Sequence, residues 1–462
     1  MYPANITRAE AERRALELQT RSYEVLIDLS GRVADAEDDE PGTTFVSRSK
    51  IAFTSEEVDS YVNLIADRLI SATLDGEPLS PDLFTDHKLY FAAGPGEHEL
   101  EVVAVCRYSH TGEGLHRFVD PVDDRVYLYT QLETADARRV FACFEQPDLK
   151  ATFQLTVIAP EHWTVLSNSP AVAPTPEGGG LGRFSFEPTP PISTYITALV
   201  AGEFHTVTDS YAGIGAEIPL SISCRQSLVD YLDADRVFGI TKAGFAVFEE
   251  HFGVAYPFTD YAQVFVPEFN AGAMENAGCV TIRDEYLFRS RTTNAAYEGR
   301  DNTILHELAH MWFGDLVTMT WWDDLWLNES FAEWASHFAQ ARIREKTGTG
   351  DDPWATFANS RKTWAYRQDQ LPSTHPIAAD MVDLEAVELN FDGITYAKGA
   401  SALRQLVAFV GEDEFLAGVR AYFAEHAWGN TRLTDLLSAL TEASGRDLSR
   451  FAADWLQTAG VN

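Results

Sequence analysis

His306-Glu307-Leu308-Ala309-His310, followed after eighteen intervening residues by Glu329 within Trp326-Leu327-Asn328-Glu329-Ser330, is the stretch on which the reading of this chain turns. Positions i and i+4 of a helix share a face, so His306 and His310 can aim both imidazoles at one metal ion. Glu307 lies about 100° further round the helix, where it can reach a metal-bound water without displacing it. Two neutral nitrogens, one carboxylate and an open fourth position make the catalytic zinc arrangement, and Glu329 supplies the carboxylate. Gly314 can end the first helix, Trp321-Trp322 can cross back, and Glu329 then begins a second apolar-periodic helix. Two histidines in a helix are ordinarily core residues, and a lone Glu at a helix start is ordinarily a surface residue favoured by the dipole. Taken together they read as one ligand set, His306, His310 and Glu329, with Glu307 as its base.

The texture around this motif is helical. Residues 235–252, 302–313, 329–346 and 396–410 carry apolar side chains at three- and four-residue spacing. Amphipathic helices are also predicted over 433–444 and 448–458, with Gly460 at the C′ position of the last. Upstream the pattern changes. Thr7 with Glu10 makes a capping box for a short helix reaching about residue 19. Residues 23–29, 44–46, 100–105 and 152–157 then read as strands, with turns at Asp75-Gly76 and Gly94-Pro95-Gly96. The Pro/Gly-rich run 174–182 reads as an exposed hairpin loop. The fold class is α+β, with a β-sandwich-like or saddle-shaped domain over 1–205 and a catalytic domain over 206–462.

Composition narrows the function classes. The chain has 462 residues, room for two or three domains. Its 70 acidic against 35 basic residues give a net charge of −35, which repels phosphate backbones and anionic lipid, so nucleic-acid and membrane partners are not expected. Cys106, Cys143, Cys224 and Cys279 are scattered and read as buried thiols of a reducing compartment. The N-terminus lacks the apolar core of a signal peptide and no apolar run nears a bilayer's span, so a cytoplasmic location is expected.

Further residues carry a resemblance. Gly272-Ala273-Met274-Glu275-Asn276 precedes the metal motif, and Phe313-Gly314-Asp315-Leu316-Val317-Thr318-Met319 and Trp321-Trp322-Asp323-Asp324-Leu325-Trp326 surround it. With the H-E-x-x-H spacing, this resembles the M1 family of zinc aminopeptidases, of the actinobacterial aminopeptidase N type. The resemblance implies an N-terminal antiparallel β saddle followed by a thermolysin-like mixed α/β zinc-peptidase domain, one Zn2+ per chain, and peptide substrates with a free N-terminus. It implies that Glu275 grips the substrate's α-ammonium, whose burial without a partner would cost several kcal/mol. Gly272, Ala273, Met274 and Asn276 stand around it. It also implies a second carboxylate, Glu133, with Gln131 lining the first pocket, both in Thr130-Gln131-Leu132-Glu133-Thr134. Tyr396, in Thr395-Tyr396-Ala397-Lys398-Gly399, matches the family's oxyanion-stabilising tyrosine, a neutral donor at pH 7. Arg283 and Asp284 are read as structural.

Departures from the family pattern are Ser330 and Asp315, where glycine and asparagine are common. Length is a larger one: such proteins continue into a small β-domain and a helical domain expected to pack on the catalytic domain, so the chain reads as a C-terminally truncated form, its activity the more open for that. An epoxide-hydrolysing member of the same family and a non-catalytic scaffold relative are the competing expectations.

Overall fold

The computed structural model describes residues 5–31 and 42–461; Met1–Ala4, residues 32–41 and Asn462, which fall within the two expected domains, lie outside the described residues. Two compact units divide the chain. The first comprises Met1–Thr208, Ser221–Leu232 and Phe258–Leu287, the second Asp209–Leu220, Asp233–Pro257 and Phe288–Asn462. Residues 221–232 and 258–287 thus pack with the first unit.

In the first unit, helix α1 (Arg8–Glu17) starts at Thr7, and the capping box with Glu10 is present in both directions. Strand Leu18–Asp28 follows at once. It pairs antiparallel with Thr44–Ser55, which in turn pairs along its whole length with Gly96–Arg107. On its other side it runs parallel to Thr152–Pro160, so the sheet expected to be antiparallel contains a parallel pair. The long stretch between these two strands makes that crossover possible. A β-bulge between Thr20 and Ser22 changes the strand's parity: Leu18 and Thr20 point inward before it, Tyr23, Val25 and Ile27 after it. Tyr23 stacks on Phe153 with centroids 4.6 Å apart, and its hydroxyl accepts the Phe144 N–H at 3.1 Å.

Eight strands make up this sheet; sheets of four and three strands lie in the same unit, as do strands Tyr261–Val266, Ala273–Met274 and Cys279–Arg283 of a five-stranded sheet. The run 174–182 is an exposed hairpin, as expected, but its first arm is strand Ala171–Gly178 rather than loop. Prolines are tolerated there because this is the sheet's edge and the pairing skips register twice. All four cysteines are buried thiols.

The second unit is helical: α2 (Ala234–Phe252), α3 (Asn294–His310), α4 (Trp326–Thr347), α5 (Pro353–Asn359), α6 (Arg361–Asp369), α7 (Leu384–Glu388), α8 (Gly399–Val410), α9 (Glu412–His426) and α10 (Leu433–Ser444). Helix α3 begins two turns before the expected 302, because Thr293 caps it by accepting the Ala296 N–H. It stops at His310 rather than at Gly314. Helix α4 starts at Trp326, three residues ahead of the expected 329, behind a turn in which Asp324 accepts the Trp326 indole N–H and the Leu433 backbone N–H.

Between α3 and α4, Phe313 packs on Phe331 of α4 at 4.5 Å, Phe423 of α9 at 4.7 Å and Phe252 of α2 at 5.3 Å. At the C-terminus, Ser449–Phe451 runs into a π-helical turn, Ala452–Leu456, capped at Gln457. Gly460 is thus not the C′ residue; it takes φ of 90° three residues on, and its carbonyl accepts from Lys398 Nζ at 2.8 Å. No described helix is long and apolar enough to cross a membrane.

The register of α3 depends on one small residue. A Cβ built on Gly244 of α2 would stand 2.5 Å from a methyl of Leu305 and 2.9 Å from one of Leu308, both fully buried on α3. Gly244→Ala is expected to destabilise the second unit by about 1–3 kcal/mol through overpacking, offset in part by the helix propensity of alanine. Chemical denaturation of the two proteins, read as a change in midpoint at constant slope, checks it.

Candidate functional site

In the second unit, His306 and His310 project from the last turn of α3 and Glu329 from the first turn of α4. One ligand atom from each lies within 4.8 Å of the others. Glu329 Oε2 stands 3.2 Å from His306 Nε2 and 3.5 Å from His310 Nε2. The cluster is buried: His310 and Glu329 are 1% and 2% exposed. Burial works to raise the Glu329 carboxyl, but where the imidazoles carry a second proton the charges of His310 and His306 and their hydrogen bonds to it outweigh this and hold it below the usual carboxylate range.

The donor set itself asks for a cation. His310 Nδ1 lies 3.0 Å from the Phe313 carbonyl, so the neutral ring, the form that binds a metal, donates its one proton there and leaves the Nε2 lone pair facing Glu329. A lone pair opposite a buried carboxylate oxygen is repulsive unless a proton or a metal ion sits between them. Two imidazole nitrogens and one carboxylate oxygen fit zinc. Glu307, 5% exposed, places a carboxylate oxygen within 4.8 Å of a His310 ring nitrogen.

Tyr396 belongs to a π-helical turn, Ile394–Lys398, that leads into α8, rather than to a plain helix start. Its ring lies nearly parallel to that of His306, at 21° with centroids 6.0 Å apart, and 6.2 Å from Trp364 of α6. Three anchors hold the turn. Asp392 accepts the Ile394 and Thr395 N–H groups at 2.8 and 3.1 Å, Lys398 pairs with Asp369 at 3.0 Å, and Ser330 donates to the Thr395 carbonyl. Ser330, the departure noted in the sequence, therefore ties the residue after Glu329 to the residue before Tyr396.

In the first unit, Glu133 and Glu275 bring carboxylate oxygens within 4.8 Å of each other. Gln131 donates to Met274 Sδ at 3.5 Å. The pentapeptide is fixed by short-range bonds. Ala273–Met274 pairs antiparallel with Cys279–Arg283, Arg283 N–H donates to the Gly272 carbonyl at 3.0 Å, and Asn276 donates to Thr281 at 3.3 Å. Asn168 is the staple beneath. It donates to the Ile196 and Ala277 carbonyls at 2.8 and 2.9 Å and accepts the Ala198 N–H at 2.7 Å. Two carboxylates held this close repel one another, and a cationic group between them relieves it. Asp284 is structural here, paired with Arg225 at 2.7 Å.

Sequence reasoning missed Asn168, Trp364, and the buried Glu333 of α4 with its partner Arg361 of α6, 2.7 Å away. Only Glu333 carried a signal, lying four residues after Glu329 on the same face of α4.

The Peptidase family M1 domain matches residues 237–455, and the Peptidase M1 N-terminal domain matches residues 86–196. Aminopeptidase N of Streptomyces lividans is 57% identical over 100% of this chain and 53% of its own length. Probable aminopeptidase 2 of Sulfurisphaera tokodaii is 32% identical over 88% of the chain and 51% of its own, and leucyl aminopeptidase of Saccharolobus solfataricus 31% identical over 96% and 54%. The chain spans about half the length of these curated relatives.

If His306, His310 and Glu329 hold a metal ion, zinc at a thousandfold excess over its Kd should stabilise the folded chain by about 4 kcal/mol. Thermal unfolding with and without zinc measures this. Glu329→Gln should abolish the increment, and an undiminished zinc response in that variant would remove Glu329 from the ligand set.

Proposed function

The chain belongs to peptidase family M1, and on that premise we propose that it is a zinc-dependent aminopeptidase removing N-terminal amino acids from peptides. The observation that carries this reading is the convergence of His306, His310 and Glu329, with Glu307 beside His310. When bound by these three residues, zinc supplies Lewis acidity, lowering the pKa of water towards about 7 and polarising a carbonyl oxygen.

The chain's own residues do the rest. Glu307 removes the proton from the attacking water and later delivers it to the leaving amine. The Tyr396 hydroxyl donates to the oxyanion that develops on the scissile carbonyl. Glu275 and Glu133 hold the α-ammonium, so that the first peptide bond is the one cut. Gln131, with Gly272, Ala273, Met274 and Asn276, shapes the pocket for the first side chain. The buried thiols fit a reducing, cytoplasmic setting. The relatives' further length fits additional domains that pack on the catalytic domain and enclose the site in the longer proteins.

The test is a panel of aminoacyl anilides with zinc-loaded protein, before and after chelation, alongside N-acetylated counterparts. Activity should vanish on chelation, return with zinc, and be absent for the blocked substrates. Glu307→Gln should keep its zinc and lose about 10²–10⁴ in kcat. Tyr396→Phe should lose about 10²–10³ in kcat. Equal cleavage of free and acetylated substrates would overturn the aminopeptidase reading, and near-normal turnover in Glu307→Gln would overturn the base.

A further inference from the structure

We infer that Glu333, clamped by Arg361, is a positioning residue that orients the metal ligand His306, an inference that rests on His306 being a ligand as proposed above. Glu329 and Glu333 sit one turn apart on α4, so their carboxylates share a face. His306 lies against both. Its Nε2 is 3.2 Å from Glu329 Oε2, and its Nδ1 is 4.0 Å from Glu333 Oε2. The imidazole is thereby bracketed, one nitrogen facing the ligand cluster and the other facing a second carboxylate.

Glu333 is 2% exposed, an unusual place for a carboxylate without strong partners. Arg361 of α6 provides them in a two-pronged geometry: Nε donates to Oε1 and Nη2 to Oε2, each at 2.7 Å. A bidentate fork fixes the plane of the carboxylate as well as its position. His337, one turn further along α4, donates from Nδ1 to the Glu333 backbone carbonyl at 2.8 Å and lies 3.7 Å from Oε1. The carboxylate that meets His306 is thus immobilised by Arg361, which holds both of its oxygens.

The two histidines are oriented by different means. His310 has its Nδ1 proton fixed by a backbone carbonyl at 3.0 Å. His306 meets a side-chain carboxylate at ion-pair range, too long for a direct hydrogen bond. Its field still favours a proton on Nδ1, which leaves the Nε2 lone pair for the metal. Such outer partners set ring orientation and ligand basicity, and their loss typically weakens metal binding 10–100-fold. A purely structural role, with Glu333–Arg361 joining α6 to α4, predicts something else: lower stability and unaltered metal affinity.

The experiment measures zinc affinity of the full chain by competition with a chromophoric chelator, and thermal unfolding of the metal-free protein, for wild type, Glu333→Gln, Glu333→Asp, Arg361→Lys and His306→Ala. Glu333→Gln should bind zinc about 10–100-fold more weakly. Arg361→Lys should shift in the same direction by less, since lysine keeps the charge but lacks the fork. Cobalt(II) bound to Glu333→Gln should show altered visible absorption bands. Wild-type zinc affinity in a folded Glu333→Gln protein, with only a lowered melting temperature, overturns the proposal. If that variant does not fold, Glu333→Asp decides: withdrawn by one methylene, its carboxylate should weaken zinc binding, and unchanged affinity overturns the proposal. Wild-type affinity in His306→Ala would instead overturn the ligand reading, independently of Glu333.

Discussion

The interior of the second unit is organised around an electrostatic demand: an ionised carboxylate, Glu329, buried opposite two imidazole nitrogens. Left to themselves these groups would favour solvent or protonation. They stay together because the surrounding helices leave no other arrangement. Helix α3 is pressed against α2 where Gly244 meets Leu305 and Leu308, and the turn leaving α3 is wedged by Phe313 among α2, α4 and α9. Asp324 fixes the start of α4, and with it the height at which Glu329 enters. Dense packing around polar groups is what makes a site pre-organised: folding has already met the cost of desolvating the ligands before any ion arrives.

Much of this was legible in the residues. The His306/His310 spacing works because a helix repeats every 3.6 residues, which is independent of context, and the capping box at Thr7 and Glu10 formed for an equally local reason. Boundaries were less legible. Thr293 starts α3 two turns early through a cap that the apolar pattern does not register, and the turn after His310 closes before Gly314 because several carbonyls find partners there. The run 174–182 reads as loop from its prolines and glycines, yet half of it is an edge strand, where missing N–H groups are tolerated. The parallel pairing of Leu18–Asp28 with Thr152–Pro160 was out of reach, since it depends on which distant strand arrives beside the first.

The residues that support the candidate site illustrate the same limit. Asn168 joins three backbone segments far apart in sequence, and nothing in its neighbours marks it out. Arg361 is one more surface-helix arginine until α6 is placed beside α4. First contacts with chemistry obey short-range rules of spacing; the groups behind them are chosen by tertiary proximity. The carboxylate pair Glu133 and Glu275 falls between these cases: Glu275 sits in a recognisable pentapeptide, whereas Glu133 is singled out only by the family resemblance.

Ser330 has a counterpart in Gly399. A Cβ at position 399 would come within 1.8 Å of the Ser330 hydroxyl, the same hydroxyl that donates to the Thr395 carbonyl. The two positions therefore form a lock and its keyhole, and neither can be exchanged freely while the other stands. Grafting the segment around Glu329 from a homologue that carries glycine at 330 would open a void beneath the tyrosine-bearing turn. Chimeras within this lineage should inherit 330 and 399 as a pair.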